Sequence, residues 1–403
     1  MDILISGAGI AGPALAYWLR RYGFTPTVVE RAPALRPGGQ AVDLRGSARD
    51  VIEWMGLADA VRVRHTGVVG LAGVDESNRR LYSWGQELSG DSGGIIAELE
   101  ILRGDLARLL YEAASDGVEY LWGDSIAELT QHDDGVEVRF ESGTSRRFDL
   151  VVGADGVHSR VRRLAFGPED EFVRDDGMYK VIFPVPGVPY GDGWQRMYVM
   201  PGRKRAGLYP VREGDARGML FFGGPRVDYD RHDIGWQKRF VADTFAGEGW
   251  EVPRMLDAMW STPDFFFDRG GMVRVPGWTR GRVVLLGDSV FGGSVGMGTS
   301  MAIVAAYVLA GELAIADGDH RRAFAGYETV LRDYVNRNQK PMPFGTRGFL
   351  PKSVMGIRLG NGLTRVMLAG PWRGMLTGGL QDAASNVTLR NYVQQAMLVD
   401  GER

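Results

Sequence analysis

The sequence predicts an α/β fold: a Rossmann-like dinucleotide-binding domain, an antiparallel β-sheet inserted into it, and a helical C-terminal tail. Three observations carry this. A glycine-rich turn, Gly7 to Gly12, joins an apolar run to a helical run near the start of the chain. Aromatic residues and short β-like runs separated by Pro/Gly turns crowd residues 170–275. Beyond Asp317 the texture becomes mainly helical, broken only by a Gly/Pro-rich stretch over 341–351.

The elements follow in order. Asp2–Ser6 reads as a buried strand, and Pro13–Arg21 carries Leu15, Trp18 and Leu19 on one helical face. Thr25–Val29 is a second strand, ending at Glu30, so the first thirty residues form a βαβ unit. Arg31–Gly39 reads as a loop, Ser47–Leu57 as a helix, and Arg103–Ala114 as a helix with Leu106, Leu109 and Leu110 in one stripe. Val136–Phe140 and Leu150–Val152 are strands, as is Arg282–Leu286, which leads into a glycine-rich loop and a long helix, Thr299–Ala316. These runs divide the chain into a discontinuous nucleotide domain (1–70, 97–170 and 276–320), an inserted substrate sheet (71–96 and 171–275) and a C-terminal helical segment (321–403).

Composition narrows the function. Of 403 residues, 47 are Lys or Arg and 50 are Asp or Glu, a net charge of −3. Such a chain has no broad basic footprint for nucleic acid. There is no cysteine, which excludes disulfides, thiolate nucleophiles and Cys-ligated metals. No metal-ligand spacing and no nucleophile elbow is present, and the five histidines are scattered. The apolar stretch Ala302–Ala316 is shorter than a membrane span and contains Glu312. No signal peptide is visible, so a cytoplasmic protein without a membrane span, monomeric or weakly dimeric, is expected.

Three motifs carry the chemistry. In the first, Gly7 permits a tight turn, Gly9 lets the backbone of Gly9-Ile10-Ala11 approach a pyrophosphate, and Gly12 lets helix and strand pack closely. The helix N-terminus then faces the phosphates. Glu30, at the end of the second strand, suits the hydroxyls of an adenosine ribose and disfavours a 2′-phosphate. The second motif runs from Val151 through Asp155-Gly156-Val157-His158-Ser159 to Arg162: a buried strand, an Asp-Gly turn and a basic helix start. The third is Gly281 to Asp288 followed by Gly296-Met297-Gly298-Thr299 and a helix. Asp288 can accept from a ribityl hydroxyl. Backbone N–H groups of Gly296 to Thr299, aided by the helix dipole, can face the electron-rich edge of a flavin.

In this order and spacing the three blocks resemble the class A flavoprotein monooxygenases, the para-hydroxybenzoate hydroxylase-like family. Residues 30–44 (Glu30-Arg31 … Gly38-Gly39-Gln40-Ala41-Val42-Asp43-Leu44) most resemble its tetracycline-inactivating branch. The resemblance implies non-covalent FAD, NADPH or NADH as reductant, and O₂ as co-substrate. It implies hydroxylation or epoxidation through a flavin C4a-hydroperoxide, in secondary metabolism or antibiotic modification. It places Glu30 and Arg31 at adenosine, Asp43 and Arg45 near the flavin, Arg103 on FAD, Asp155 in the shared FAD/NADPH motif and Arg36 at NAD(P)H. One departure stands out: a family histidine is Phe291, and the proline before the glycine pair is missing from Phe291–Val295. That leaves open a flavoprotein of the same fold that does not oxygenate, such as a dehydrogenase, isomerase or cyclase with FAD partly structural.

The substrate wall is expected in the aromatic-rich section, from Phe183, Trp194, Tyr198, Tyr209, Phe221 and Phe222. Together these suit a large, flat, mostly apolar molecule, an aromatic or polyketide-like metabolite. Trp260, Trp278, Phe344, Phe349 and Trp372 are further residues that could close the pocket.

Overall fold

The first strand, Asp2–Ser6, has Ile3, Leu4 and Ile5 fully buried, the pattern of a parallel strand covered on both faces. It lies near the centre of a six-stranded sheet in a computed structural model of the chain, which describes residues 1–85, 99–188, 192–211, 216–294, 296–339, 345–369 and 385–392. The strand order is Thr279–Arg280, Val283–Leu285, Leu150–Gly153, Asp2–Ser6, Thr25–Glu30, Glu119–Trp122. Only the short edge strand Thr279–Arg280 is antiparallel to its neighbour. The three motifs therefore reach one sheet from distant parts of the chain. Strand Asp2–Ser6 pairs in parallel with Thr25–Glu30 on one side and Leu150–Gly153 on the other, and Leu150–Gly153 pairs with Val283–Leu285.

Helix Gly298–Ile315 is apolar almost all round and long enough by length and composition to cross a membrane. Here it is a core helix: Ile303 to Leu309 are buried without a break. It packs against helices Ala11–Arg21 and His320–Asn338. A helix hydrophobic on every side belongs in a core as readily as in a bilayer.

A seven-stranded sheet forms the second layer, in the order Phe266–Val273, Val173–Val185, Ala216–Gly223, Lys204–Pro210, Trp194–Met200, Gly70–Val74, Arg80–Gly85. The stretch expected as an antiparallel sheet is so except that Trp194–Met200 runs parallel to Gly70–Val74, and helices Ile234–Phe245 and Val252–Ser261 interrupt it. Asp233 caps the first, its side chain accepting from Trp236 N at 2.8 Å, and a proline stands in the first turn of the second. Both are start signals of a helix. Val241 and Phe245, then Val252, Met255 and Met259, cover one face of the sheet.

A two-stranded ribbon, Ala41–Leu44 paired antiparallel with Leu99–Leu102, lies outside both sheets. Its inward residues Val42, Leu44, Leu99 and Ile101 join the core of the nucleotide layer. Alternation puts Ala41, Asp43, Glu100 and Leu102 on the other face. Ala41 and Leu102 pack there against Ile182, Met197, Tyr209 and Met219 of the large sheet. Phe344 and Trp372 lie outside the described residues, as do the 370–384 and 393–403 parts of the C-terminal segment.

Candidate active site

The glycine turn is built by exclusion. A Cβ on Gly7, which has φ +109°, would lie 2.5 Å from the carbonyl oxygen of Ala154, and one on Gly12 would lie 1.9 Å from that of Gly7. Gly9 differs: the nearest atom to its Cβ position is a guanidinium nitrogen of Arg103, at 3.2 Å. Ile10 and Ala11, both buried, open helix Ala11–Arg21 behind it. Arg103 stands at the start of helix Arg103–Ala114 and forms no ion pair among the described residues. Its pKa is lowered by burial and by Arg36, against the opposing pull of Asp288 and Glu30. A cation drawn out of water with no counterion is costly. A pyrophosphate on the Gly9 amide side would satisfy it and would meet the helix N-terminus as well.

Glu30 closes the turn. Its carboxylate accepts from Ala8 N and Ala32 N, each at 2.9 Å, which fixes it beside the loop with acceptor capacity left for ribose hydroxyls. Arg31 and Arg36 are exposed on the loop that follows.

At the other end, Asp288 remains exposed yet is enclosed by neighbouring protein, so it lines a deep cleft. Burial raises its pKa against the charges of Arg103 and Lys180. Across from it, Gly298 presents bare backbone, its Cβ position 3.5 Å from Asp288 Oδ1, and that of Gly296 is 3.4 Å from Asp43 Oδ2. Met297 is buried and Thr299 opens the core helix. Asp43 is held by Arg45, whose Nη2 and Nε lie 2.8 and 3.1 Å from Oδ2. Ser300 ties both to the helix, accepting from Arg45 N at 2.9 Å and donating to Asp43 O at 3.0 Å. A groove with an unpaired arginine at one end and side-chain-free backbone between two carboxylates at the other fits FAD in length order: phosphates, ribityl chain, ring edge.

Asp155 sits differently from the cofactor contact the sequence suggested. Its Oδ2 accepts from Arg160 N and Val161 N at 2.7 and 3.0 Å, and Oδ1 accepts from Ser159 Oγ at 2.5 Å. The carboxylate is committed to the N-terminus of helix Arg160–Ala165. That helix carries Arg162, fully buried, which donates to Ser289 O at 2.8 Å and Val157 O at 2.6 Å. Asp155 thus shapes the cofactor groove from behind, by fixing the turn beside Asp288.

His158 bridges the two layers. Its Nδ1 lies 3.0 Å from Glu169 and its Nε2 3.2 Å from Asp268 of the large sheet, with Arg231 nearby. Burial lowers its pKa, but hydrogen bonds to Asp268 and Glu169 outweigh this and hold it above the ordinary imidazole value. A raised pKa means the bridge contributes fully below the unfolded value of about 6.5 and is lost as pH rises through the folded value. The urea midpoint should therefore fall with rising pH in that window, and His158→Gln should flatten that fall.

Sheet alternation divides the proposed substrate residues. Phe183 and Phe222 are buried among the two covering helices, with Tyr198 packed beside them. Trp194 lies over Gly70 at the sheet end, its ring 4.4 Å from the Arg80 guanidinium. These four form core or rim rather than substrate wall. Tyr209 and Phe221 are on the opposite face, toward the ribbon, with Ile182, Met197, Met219 and Phe349. Tyr209 accepts from Ala41 N at 3.0 Å, and Arg205 lies 4.0 Å over the Phe349 ring. Glu100, Arg205 and the Arg217–Asp264 ion pair beside Gly38 are polar groups of this seam that the sequence reading did not single out. Phe291 is buried against Trp278 in the nucleotide core, not in the seam; Val295 lies outside the described residues. A separate open cleft of about 880 Å³, lined by Gln131, Arg282, His320 and Arg332 among others, contains none of these groups.

The parallel sheet, glycine turn and groove define a dinucleotide-binding flavoprotein. A family model described as "FAD binding domain" matches residues 1–323. A flavin-dependent monooxygenase of Legionella longbeachae is 36% identical over 360 residues, covering 87% of this chain and 90% of that protein. An uncharacterised protein of Mycobacterium tuberculosis is 43% identical over 342 residues, covering 84% and 91%. The crystal structure of tetracycline destructase Tet(51) superposes with a TM-score of 0.80 at 33% identity, covering 97% of this chain and 98% of that one. The chain belongs to the FAD-binding-domain family of flavin-dependent monooxygenases.

Proposed function

We propose that the protein uses NAD(P)H and O₂ to place one oxygen atom on a large, planar aromatic or polyketide-like molecule, in the cytoplasm. The observation that carries this reading is the seam between ribbon and sheet. Ile182, Met197, Tyr209, Met219 and Phe221 face Ala41 and Leu102, and Phe349 caps them. These side chains make an apolar seam, and the Asp43 face of the same ribbon lies beside Gly296. Bound FAD supplies the redox chemistry that no side chain here offers, drawing reducing equivalents from NAD(P)H and activating O₂. The chain's own work is placement. Arg103 and the Gly9 amide hold phosphate; Asp288 holds the ribityl chain; Gly296 to Thr299 support the ring edge. Exposed Arg36, near Arg103, supplies a cation for the transient nicotinamide nucleotide. On this reading the acceptor binds against the apolar seam, which orients it and keeps water away from it. The tetracycline acted on by Tet(51) is a molecule of this shape class.

The test is NAD(P)H oxidation by FAD-loaded protein with a panel of polycyclic phenols and small aromatic acids. The reading expects acceleration by members of the polycyclic set and none by the small acids. Equal rates with and without every compound would count against it.

A further inference from the structure

The ribbon puts two carboxyl groups directly opposite one another at the junction of the flavin groove and the apolar seam. Asp43 and Glu100 are cross-strand partners, and like charges so placed repel. Among the described residues a single cation, Arg45, faces them, and it is committed to Asp43 through two hydrogen bonds. The hydrogen-bond donor to Glu100 is neutral: Thr66 Oγ1 donates to its Oε1 at 2.6 Å, and the Tyr209 phenol lies near. Arg103, three residues along, faces Asp288, Arg36 and Glu30 instead.

We propose that Asp43 and Glu100 act as a pair holding one proton, carried by Glu100, and that this proton sets the charge of the site where the flavin ring meets the substrate. Two carboxylates beside one guanidinium leave a net negative charge in a partly enclosed cleft, whereas one carboxylate, one acid and one guanidinium are neutral. Burial raises both carboxyls, Asp43 against the charge and hydrogen bonds of Arg45, and burial with the Asp43 charge pushes Glu100 up to about 7, so the pair's proton is lost within the working range of an enzyme. On loss it leaves the Glu100 O–H for solvent. The cleft then turns negative and disfavours the added electron density of a reduced flavin, so reduction becomes harder. Conversely, reduction draws a proton back onto Glu100. Glu100 is on this account a positioning residue that acts through charge. The inference rests on the FAD groove and is independent of whether oxygenation follows.

Two readouts test it. The first is a carbon NMR titration of the FAD-free chain labelled at Glu carboxyl carbons. One signal should titrate near neutrality, vanish in Glu100→Gln, and move to lower pH in Asp43→Asn, which removes the opposing Asp43 charge. The second is the reduction potential of bound FAD against pH. Wild type should fall more steeply through neutrality than Glu100→Gln, whose line should meet wild type at acid pH because the amide mimics the neutral acid and still accepts from Thr66. Titration of Glu100 in the ordinary carboxylate range, or parallel potential lines for the two proteins, would overturn the proposal. Should Glu100→Gln fail to retain FAD, the NMR titration of wild type decides alone. Loss of monooxygenation with both readouts as expected would count against the proposed function and leave this pair standing.

Discussion

Gly12→Ala is expected to yield protein that purifies without FAD and unfolds at markedly lower urea. Its new methyl would sit 1.9 Å from the carbonyl oxygen of Gly7. The methyl is fixed rigidly to the helix backbone and the oxygen is backbone, so neither can swing aside and helix Ala11–Arg21 must move away from strand Asp2–Ser6. Overpacking of this kind costs about 1–3 kcal/mol or more. The displaced helix N-terminus also loses its aim at the phosphates; about 3 kcal/mol there would weaken FAD on the order of 100-fold. Gly9→Ala is the matched control. Its methyl meets only the flexible end of Arg103 at 3.2 Å, so stability should stay within about 0.5 kcal/mol of wild type. FAD should nevertheless be lost, because the methyl occupies the phosphate approach. Urea midpoints and flavin fluorescence titrations on both variants separate the two effects. If Gly9→Ala retains FAD like wild type, the pyrophosphate does not lie on Gly9.

Asp155→Ala should destabilise the fold by about 3–5 kcal/mol, since it strips acceptors from several enclosed donors at about 1–3 kcal/mol each. Arg160 N, Val161 N and Ser159 Oγ lose their partner together. Helix Arg160–Ala165 then frays, and Arg162 no longer braces Ser289 O. Ser289 in turn staples strand Leu150–Gly153 to the Asp288 turn, through bonds to Gly153 O and Leu286 O at 2.5 and 2.9 Å. The measurable consequence is a lower urea midpoint with FAD affinity falling as a secondary effect. A variant of wild-type stability that had lost only FAD would instead make Asp155 a direct cofactor contact.

What the sequence disclosed was whatever has a local cause. The Gly7–Gly12 turn, Glu30 and the Asp288 turn are legible because backbone geometry demands glycine there and strand ends demand particular acids. The Ala41–Leu44/Leu99–Leu102 ribbon was not, because its strands are four residues long and separated by 54 residues of chain. Glu100 was hidden with it: its meaning depends wholly on facing Asp43. The aromatics show the same limit. Period-two alternation puts Tyr179, Val181, Phe183 and Val185 on one face, but only the packing of helices Ile234–Phe245 and Val252–Ser261 reveals that this face is the core. Those helices carried signals of their own, Asp233 as cap and Pro253 in the first turn, masked by the aromatic texture around them.

The most direct test of the account is isotope transfer. FAD-loaded protein, supplied with NADPH or NADH and a polycyclic phenol that accelerates its oxidation, is run under ¹⁸O₂ and the organic product weighed by mass spectrometry. The account predicts a product carrying one ¹⁸O atom, formed in proportion to the reductant consumed. Unlabelled organic material, with all of the O₂ recovered as hydrogen peroxide, would contradict it.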